Sequence, residues 1–310
     1  MSCILCKKND FKSVSSKDAK NNSFLSVVFC KSCGMIQQNP IPSENEVNKY
    51  YSSEYRHDYK KTYTPKIKHI YRAGNLALER VKFLKDRNIS EGRLLDVGAG
   101  GGEFTYLSGR LGFISEGIEP NVGYSNYARQ EYGVNIQTGH LADVDKKFDL
   151  ITMFHALEHI PNPIKTFKLL YDLLDKDGLL FIEVPNIETK DASPHNIYFK
   201  AHIHYFSEST LTSAASQYFE KIDESNGSNL QILFKRRHII KNNLILPASK
   251  YINQTAFRLQ EKGWFEYLFY GRGYKKLFLR IRQLFIESRL NYEKSIEVLD
   301  DILRSSPNKN

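Results

Sequence analysis

Leu94-Leu95-Asp96-Val97-Gly98-Ala99-Gly100-Gly101-Gly102 is the stretch whose reading decides the fold. An apolar run ends in an acid and then in glycines, the pattern of a buried strand turning into a helix. Glycines there let a ligand approach the backbone closely, and the amides that open the following helix offer donors. Asp96 adds a carboxylate aimed at that ligand. Such a group repels a pyrophosphate and attracts an ammonium or a sulfonium. No lysine stands in the loop, so the turn is not a P-loop. The next apolar run, Gly117-Ile118-Glu119-Pro120, closes on a second acid, placed to accept both hydroxyls of a ribose.

Working outward, residues 89–235 alternate short apolar runs with amphipathic stretches. Strands are predicted over 93–97, 114–118, 134–138, 148–154, 179–184, 219–225 and 230–234. Helices are predicted over 103–110, 123–132, 164–174 and 209–217, with Asp177-Gly178 closing the third. The expected fold is α/β, a Rossmann-like doubly wound sheet with ligands at the carboxyl ends of its strands. A small cysteine-bearing module, 1–40, precedes it, followed by a Tyr-rich linker and helical cap, 41–88. A basic helical C-terminal region, 236–310, follows, and its last residues, 305–310, are expected to be disordered.

The central region closely resembles the class I S-adenosylmethionine-dependent methyltransferases. The resemblance rests on Asp96-Val97-Gly98-Ala99-Gly100, Glu119-Pro120, Phe148-Asp149-Leu150-Ile151, Leu157-Glu158-His159 and Gly178-Leu179-Leu180. It implies that Asp96 and the backbone of Gly98, Ala99 and Gly100 face the methionine part of the cofactor. It implies that Glu119, followed by Pro120, holds the ribose, and that His140 and Leu141 lie near the adenine. At the position of His140 the family often has Asp. Phe154 and His155, after the fourth strand, are expected to line the cofactor pocket.

Hydrophobic residues make up 41% and charged residues 25% of the chain, which excludes collagen, a coiled-coil rod and wholesale disorder. No run approaches the roughly 18 uninterrupted apolar residues of a membrane span, and the N-terminus carries no signal-peptide pattern. A cytoplasmic, reducing location is expected, where cysteines are metal ligands more readily than disulfides. Cys3-x-x-Cys6 and Cys30-x-x-Cys33 form two knuckles that use all four cysteines. Such a set closes a tetrahedral thiolate site for a structural zinc ion. Redox CxxC motifs, by contrast, occur singly beside a βαβ unit. A four-cysteine module ahead of such a domain resembles the sugar methyltransferases of deoxysugar and surface-polysaccharide pathways. It also resembles a group of zinc-bearing ribosomal-RNA methyltransferases. Tyrosines 50, 51, 55, 59, 63 and 71 suit the first group, although tyrosine faces stack on sugars and bases alike.

Two histidine clusters are candidates for removing a proton from an acceptor. His155-Ala156-Leu157-Glu158-His159 follows the fourth strand. Ubiquinone-type O-methyltransferases carry acids and a metal-associated histidine in the corresponding stretch; Glu158 and His159 match, while His155 replaces an acid. His159 either takes part in catalysis or braces the turn before Pro161. Ala201-His202-Ile203-His204-Tyr205-Phe206-Ser207 follows the fifth strand, and in an extended segment His202 and His204 face one side. Zinc sugar C-methyltransferases have a similar stretch ending Tyr-Phe-Ser, in which His202 matches the catalytic histidine and Ala201 replaces the preceding acid. The expectation is therefore O-methylation of a sugar hydroxyl in surface-polysaccharide or nucleotide-sugar metabolism, with His202 or His204 as base. C-methylation of a sugar, methylation of rRNA or tRNA, and a non-catalytic cofactor-binding scaffold are the alternatives.

The net charge of +9 is uneven. Between Lys235 and Arg289 stand 13 Lys/Arg and 3 Asp/Glu, so one basic appendage follows a near-neutral body. Residues 272–290 read as an amphipathic helix with Tyr274, Leu277, Phe278, Ile281, Leu284 and Phe285 on one stripe. Aromatic residues crowd 264–270 just upstream. Basic residues beside an apolar face suit peripheral contact of 257–290 with the inner face of an anionic membrane and a lipid-linked glycan acceptor. Packing on the protein itself, on a second subunit, or on nucleic acid are the other readings.

Overall fold

The computed structural model describes residues 2–49 and 65–305. The predicted linker tyrosines 50, 51, 55, 59 and 63, and the tail 306–310, lie outside the described residues. The chain forms two compact units interleaved in sequence. One comprises Met1–Tyr50, Met153–Asp172 and Leu179–Arg280; the other comprises Tyr51–Thr152, Leu173–Gly178 and Ile281–Asn310.

Seven strands form the main sheet: β4 (Gly92–Val97), β5 (Phe113–Glu119), β6 (Asn135–Thr138), β7 (Phe148–Phe154), β8 (Leu174–Pro185), β10 (Phe219–Asn226) and β11 (Asn229–Arg236). Their order is β10-β11-β8-β7-β4-β5-β6. β4 pairs in parallel with β5, and β5 with β6. β11 is antiparallel to both β8 and β10. The chain thus builds outward from β4 to β6 and then returns to β7 on the other side of β4. That reversal is the switch point at which doubly wound sheets take their ligands. β8 begins at Leu174, five residues before the predicted start: Leu174 is buried and the backbone is already extended through the exposed Lys176 and Asp177.

Helices in the second unit are α2 (Ile67–Lys85), α3 (Glu103–Arg110), α4 (Val122–Tyr132) and α9 (Ser295–Ser305). α4 starts at an Asn121 side chain accepting from the Tyr124 amide and stops at Gly133 with φ +64°, a sequence-legible cap at each end. α9 buries Val298, Leu299 and Ile302. It lies so close to α2 that a Cβ on Gly74 would sit 2.7 Å from both Leu299 and Ile302 side chains. Tyr106 donates to Asp300 at 2.6 Å and Tyr127 to Ser295 at 2.7 Å.

In the first unit, β1 (Phe11–Lys17), β2 (Phe24–Cys30) and β3 (Ile36–Gln38) form an antiparallel sheet that α1 (Glu44–Lys49) follows. Its fourth strand, β9 (His204–Tyr205), comes from far along the chain and pairs Ile36 with Tyr205 and Gln37 with His204. Leu25, Val27, Phe29, Ile36, Ile187 and Tyr205 form a common core. Helix α7 (Ser249–Glu261) packs Ile252, Ala256 and Leu259 against it, one face at helical spacing. The unit also holds α5 (Pro163–Leu173) and α6 (Glu208–Ala215), the latter opened by a capping box between Ser207 and Thr210. A π-helical turn (Glu266–Tyr270) leads into α8 (Gly273–Glu287). Among the described residues no helix is long and apolar enough to cross a membrane.

Candidate functional site

The acid–glycine turn follows the carboxyl end of β4. Asp96 is buried, and its carboxylate accepts from Thr152 at 3.0 Å and Thr105 at 3.3 Å. Burial pushes it up to about 6 despite those hydroxyls. Gly98, Gly100 and Gly102 have φ of +75°, +55° and +86°, the left-handed region that favours glycine. The Gly98 and Ala99 amides donate to Ile118 O, fastening the turn to β5. A Cβ on Gly100 would meet nothing within 4 Å, so the backbone is open to a ligand there. Glu119, also buried, accepts from the Gly100 amide on one oxygen and the Asn121 amide on the other, both at 2.9 Å. Burial holds it above the usual carboxylate range. Pro120 leads into the Asn121 cap. His140 is exposed and, with the half-exposed Leu141, opens a short 3-10 turn whose Asp143 accepts from the His140 amide at 2.7 Å. A buried carboxylate beside an open glycine backbone, with a second acid one strand over, fits a cationic amino-acid group joined to a ribose.

A pH effect follows from Asp96. An unfolded aspartate titrates near ~3.9, below the folded value. The charged form is therefore disfavoured by folding, so the contribution to stability is full at low pH and lost as pH rises through 6. The stability of the wild type relative to Asp96→Asn should fall by about 2 kcal/mol between pH 4 and pH 7 in the ligand-free protein. Denaturant titration of both proteins across that window checks it; a flat difference would show that Asp96 is not desolvated as described.

The second cluster follows β7. Phe154 packs edge-on to Phe181 at 5.2 Å. His155 has φ +51°, unusual for a side-chain-bearing residue and found where a turn is over-determined. Its amide donates to Glu183 O at 2.8 Å, and its Nε2 lies 3.0 Å from the buried Glu183 carboxylate. Glu183 also accepts from Asn229 at 2.8 Å and Gln231 at 3.1 Å. Burial opposes charge on His155, but the Glu158 and Glu183 carboxylates beside it outweigh that and lift the ring to about 9.

Glu158 is fully buried, and neither oxygen has a hydrogen-bond partner among the described residues. Three imidazoles surround Oε1 at ion-pair distances: His155 Nδ1 at 3.4 Å, His159 Nε2 at 3.8 Å and His202 Nε2 at 4.0 Å. Burial alone would raise Glu158; the histidines, His159 foremost, hold it ionised and below the usual range. His159 Nδ1 sits 2.7 Å from Ala201 O. A carbonyl only accepts, so Nδ1 carries a proton, and Nε2 faces Glu158. His202 packs edge-on to His159 at 4.9 Å, and burial pushes it down to about 3, leaving it neutral. The ligand atoms of Glu158, His159 and His202 lie within 4.8 Å of one another. His204 lies outside this trio: its ring is buried and Nε2 meets Pro161 O at 3.1 Å.

The loop bearing His202 is held by the N-terminal sheet. Gln38 donates through its side chain to Lys200 O and His202 O, both at 2.8 Å. Asp18 accepts from the Lys200 amide at 2.7 Å, and the Ile203 amide bonds Glu158 O at 2.9 Å. Cys30 ends β2 of that sheet, and Cys3, Cys6 and Cys33 gather around it. Cys3 and Cys33 sulfurs lie 3.4 Å apart, Cys6 and Cys30 sulfurs 3.5 Å, and all four are within 4.8 Å without a disulfide. Tetrahedral zinc with Zn–S near ~2.3 Å sets its sulfurs roughly 3.8 Å apart, so the cluster fits that ion. Hydrogen bonds from Cys3 and Cys33 pull Cys30 far below the thiol range, while those same contacts push Cys3 and Cys33 up.

Glu183, Asn229 and Gln231 escape the sequence reading. One signal was present: Glu183 interrupts the apolar run Leu179-Leu180-Phe181-Ile182 before Val184, and an acid inside a buried strand needs a partner.

The sheet order, the acid–glycine turn after its central strand and the acid ending the next strand match the Rossmann-like fold of class I S-adenosylmethionine-dependent methyltransferases. Residues 68–218 match the model of a family described as a methyltransferase domain. Ubiquinone biosynthesis O-methyltransferase of Glaesserella parasuis serovar 5 is 33% identical over 111 residues, covering 32% of this chain and 47% of that protein. The Haemophilus ducreyi protein of that name is 32% identical over 107 residues, covering 30% and 45%. The chain thus spans about half the length of the curated relatives it matches. Synechocystis magnesium protoporphyrin IX methyltransferase with bound SAH aligns at a TM-score of 0.47 and 16% identity, covering 63% of this chain and 100% of that one.

Proposed function

We propose that this chain is an S-adenosylmethionine-dependent O-methyltransferase that acts on a sugar hydroxyl in surface-polysaccharide or nucleotide-sugar metabolism, with a structural zinc at Cys3, Cys6, Cys30 and Cys33. The carrying observation is the buried, ionised Glu158 facing His159 and His202 without a hydrogen bond. A hydroxyl acceptor must lose its proton as the O–CH3 bond forms, and the cofactor's part is to supply an electrophilic methyl. A neutral His202 accepts that proton, and the Glu158 carboxylate stabilises the imidazolium that results. Asp96, the Gly98–Gly100 backbone and Glu119 hold the cofactor, with His140 and Leu141 at the adenine. The O-methyltransferase names of the curated relatives agree with a hydroxyl acceptor. The sugar class rests on the cysteine module and the tyrosines ahead of the domain.

Glu119→Ala should weaken S-adenosylmethionine binding about ten- to a hundredfold, because charge-assisted hydrogen bonds to two hydroxyls are lost. Titration calorimetry reads this directly, and an unchanged Kd would remove Glu119 from the ribose site. Mass spectrometry of surface glycans and of RNA, from cells with and without the gene, tests the acceptor. Loss of one methyl from a glycan supports the reading, whereas loss from RNA overturns it.

His159 favours a second reading. Its Nδ1–H is committed to Ala201 O, the outer-sphere bond that orients a metal-bound imidazole. A divalent cation on Glu158, His159 and His202 would activate the hydroxyl by lowering its pKa. Metal analysis separates the two. One zinc per chain, lost only with the cysteines, supports the base. A second equivalent, lost on His159→Ala, supports the cation.

A further inference from the structure

The segment from the π-helical turn through the first half of α8 carries exposed apolar rings while two of its polar groups are turned inward. The buried Glu266 pairs with Arg258 at 2.6 Å, and Lys276 pairs with Asp191 at 3.2 Å while its Nζ donates to Asp191 O at 2.5 Å. The backbone at Gly271 presses on Lys190, since a Cβ there would fall 2.2 Å from Lys190 O. Outward stand Phe265, Phe269, Tyr270, Tyr274 and Phe278, with 67%, 65%, 66%, 52% and 70% of their surfaces exposed. A helix that merely packs on its own domain would show the reverse pattern. Interleaved with these rings are Arg272, Lys275 and Arg280, all exposed and without an anionic partner among the described residues.

We infer that this face, Phe265–Arg280, docks on the surface of an anionic phospholipid bilayer. Aromatic rings at the headgroup boundary, with cations beside them, are the chemistry of interfacial anchoring. Charge decides against a second copy of the chain as the occupant. A two-fold interface would set Arg272, Lys275 and Arg280 against their own images, in a stretch with 13 Lys/Arg and 3 Asp/Glu. Nucleic acid is disfavoured by the rings themselves. Phe265 packs on Phe269 at 4.8 Å and edge-on to Tyr270 at 6.1 Å, a clustered knob rather than separate platforms for stacked bases.

The test is co-sedimentation of the full chain with vesicles of phosphatidylcholine alone or mixed with phosphatidylserine. Binding is expected only to the phosphatidylserine vesicles, and it should weaken with salt. Replacing Arg272, Lys275 and Arg280 together by Ala should lower the partition coefficient on the order of a hundredfold, about fivefold per cation. Phe269→Ser with Phe278→Ser should abolish binding, with an unchanged melting temperature and circular dichroism showing the fold intact. Three outcomes would overturn the inference: no binding to phosphatidylserine vesicles at low salt, vesicle binding indifferent to both sets of changes, or a dimer in solution that the Phe269/Phe278 changes dissociate. Tighter binding of an RNA oligomer that competes the vesicles away would overturn it as well.

Discussion

His202→Ala is expected to reduce turnover by roughly 10²- to 10⁴-fold, the range for loss of a positioned general base, while leaving the Kd for S-adenosylmethionine unchanged. The two readouts separate because different partners hold the two sets of residues. Asp96 and Glu119 are held by Thr105, Thr152 and the amides of Gly100 and Asn121. His202 is held by Gln38 and faces Glu158. Glu158→Gln keeps the shape and removes the charge, so it should lower kcat with little change in cofactor affinity. His204→Ala should act chiefly on stability, since that ring is enclosed and bonded to Pro161 O. Turnover of His202→Ala within about threefold of wild type would remove His202 from the chemistry. Equal losses in cofactor affinity and turnover would mean that the change had loosened the unit rather than deleted a proton acceptor.

Stripping the proposed zinc from the cysteine cluster, or changing Cys30 to Ser, is expected to abolish turnover although the proposal gives no cysteine a part in catalysis. Structural zinc contributes an apparent ~10–16 kcal/mol in isolated fingers, as much as the whole stability of an ordinary domain, about 5–15 kcal/mol. Without it, the four sulfurs are left as competing thiols at 3.4–3.5 Å, and the small sheet β1–β3 loses its anchor. β9 then loses its partner strand, and the 200–203 segment loses Gln38 and Asp18. Hydrogen exchange should therefore accelerate at Gln38, whose amide donates to Ile203 O, and at Ile203, whose amide donates to Glu158 O. Calorimetry should still show cofactor binding at the Asp96–Glu119 site. Full turnover in a protein shown to be metal-free would refute the dependence of the His202 loop on the cluster.

Much of the α/β core was legible because its signals are local. Helix α3 and strand β7 fall where periodicity placed them, and α4 is bounded by its own Asn121 and Gly133 caps. The cofactor turn was legible for the same reason: glycine at positive φ and an acid before it are consecutive residues. The predicted helix over 272–290 exists as Gly273–Glu287, but its stripe residues Tyr274, Phe278, Ile281, Leu284 and Phe285 are exposed. Leu277 is not described there. Periodicity reports which residues share a face; it carries no record of what covers that face.

What the sequence by itself determined is the alternation of strands and helices, the acid–glycine turn, the acid ending the next strand and the four cysteines, each set by spacing over a few residues. Tertiary structure alone decided that β9 completes the N-terminal sheet, with Gln38 bonded to a carbonyl 164 residues away. It also decided that Glu158 meets His155, His159 and His202, and that Glu183 meets Asn229 and Gln231. The physical reason is range. Backbone propensity and capping act within a turn or two of the chain. A buried carboxylate is settled by whichever partners the closed fold brings around it, at any separation in sequence.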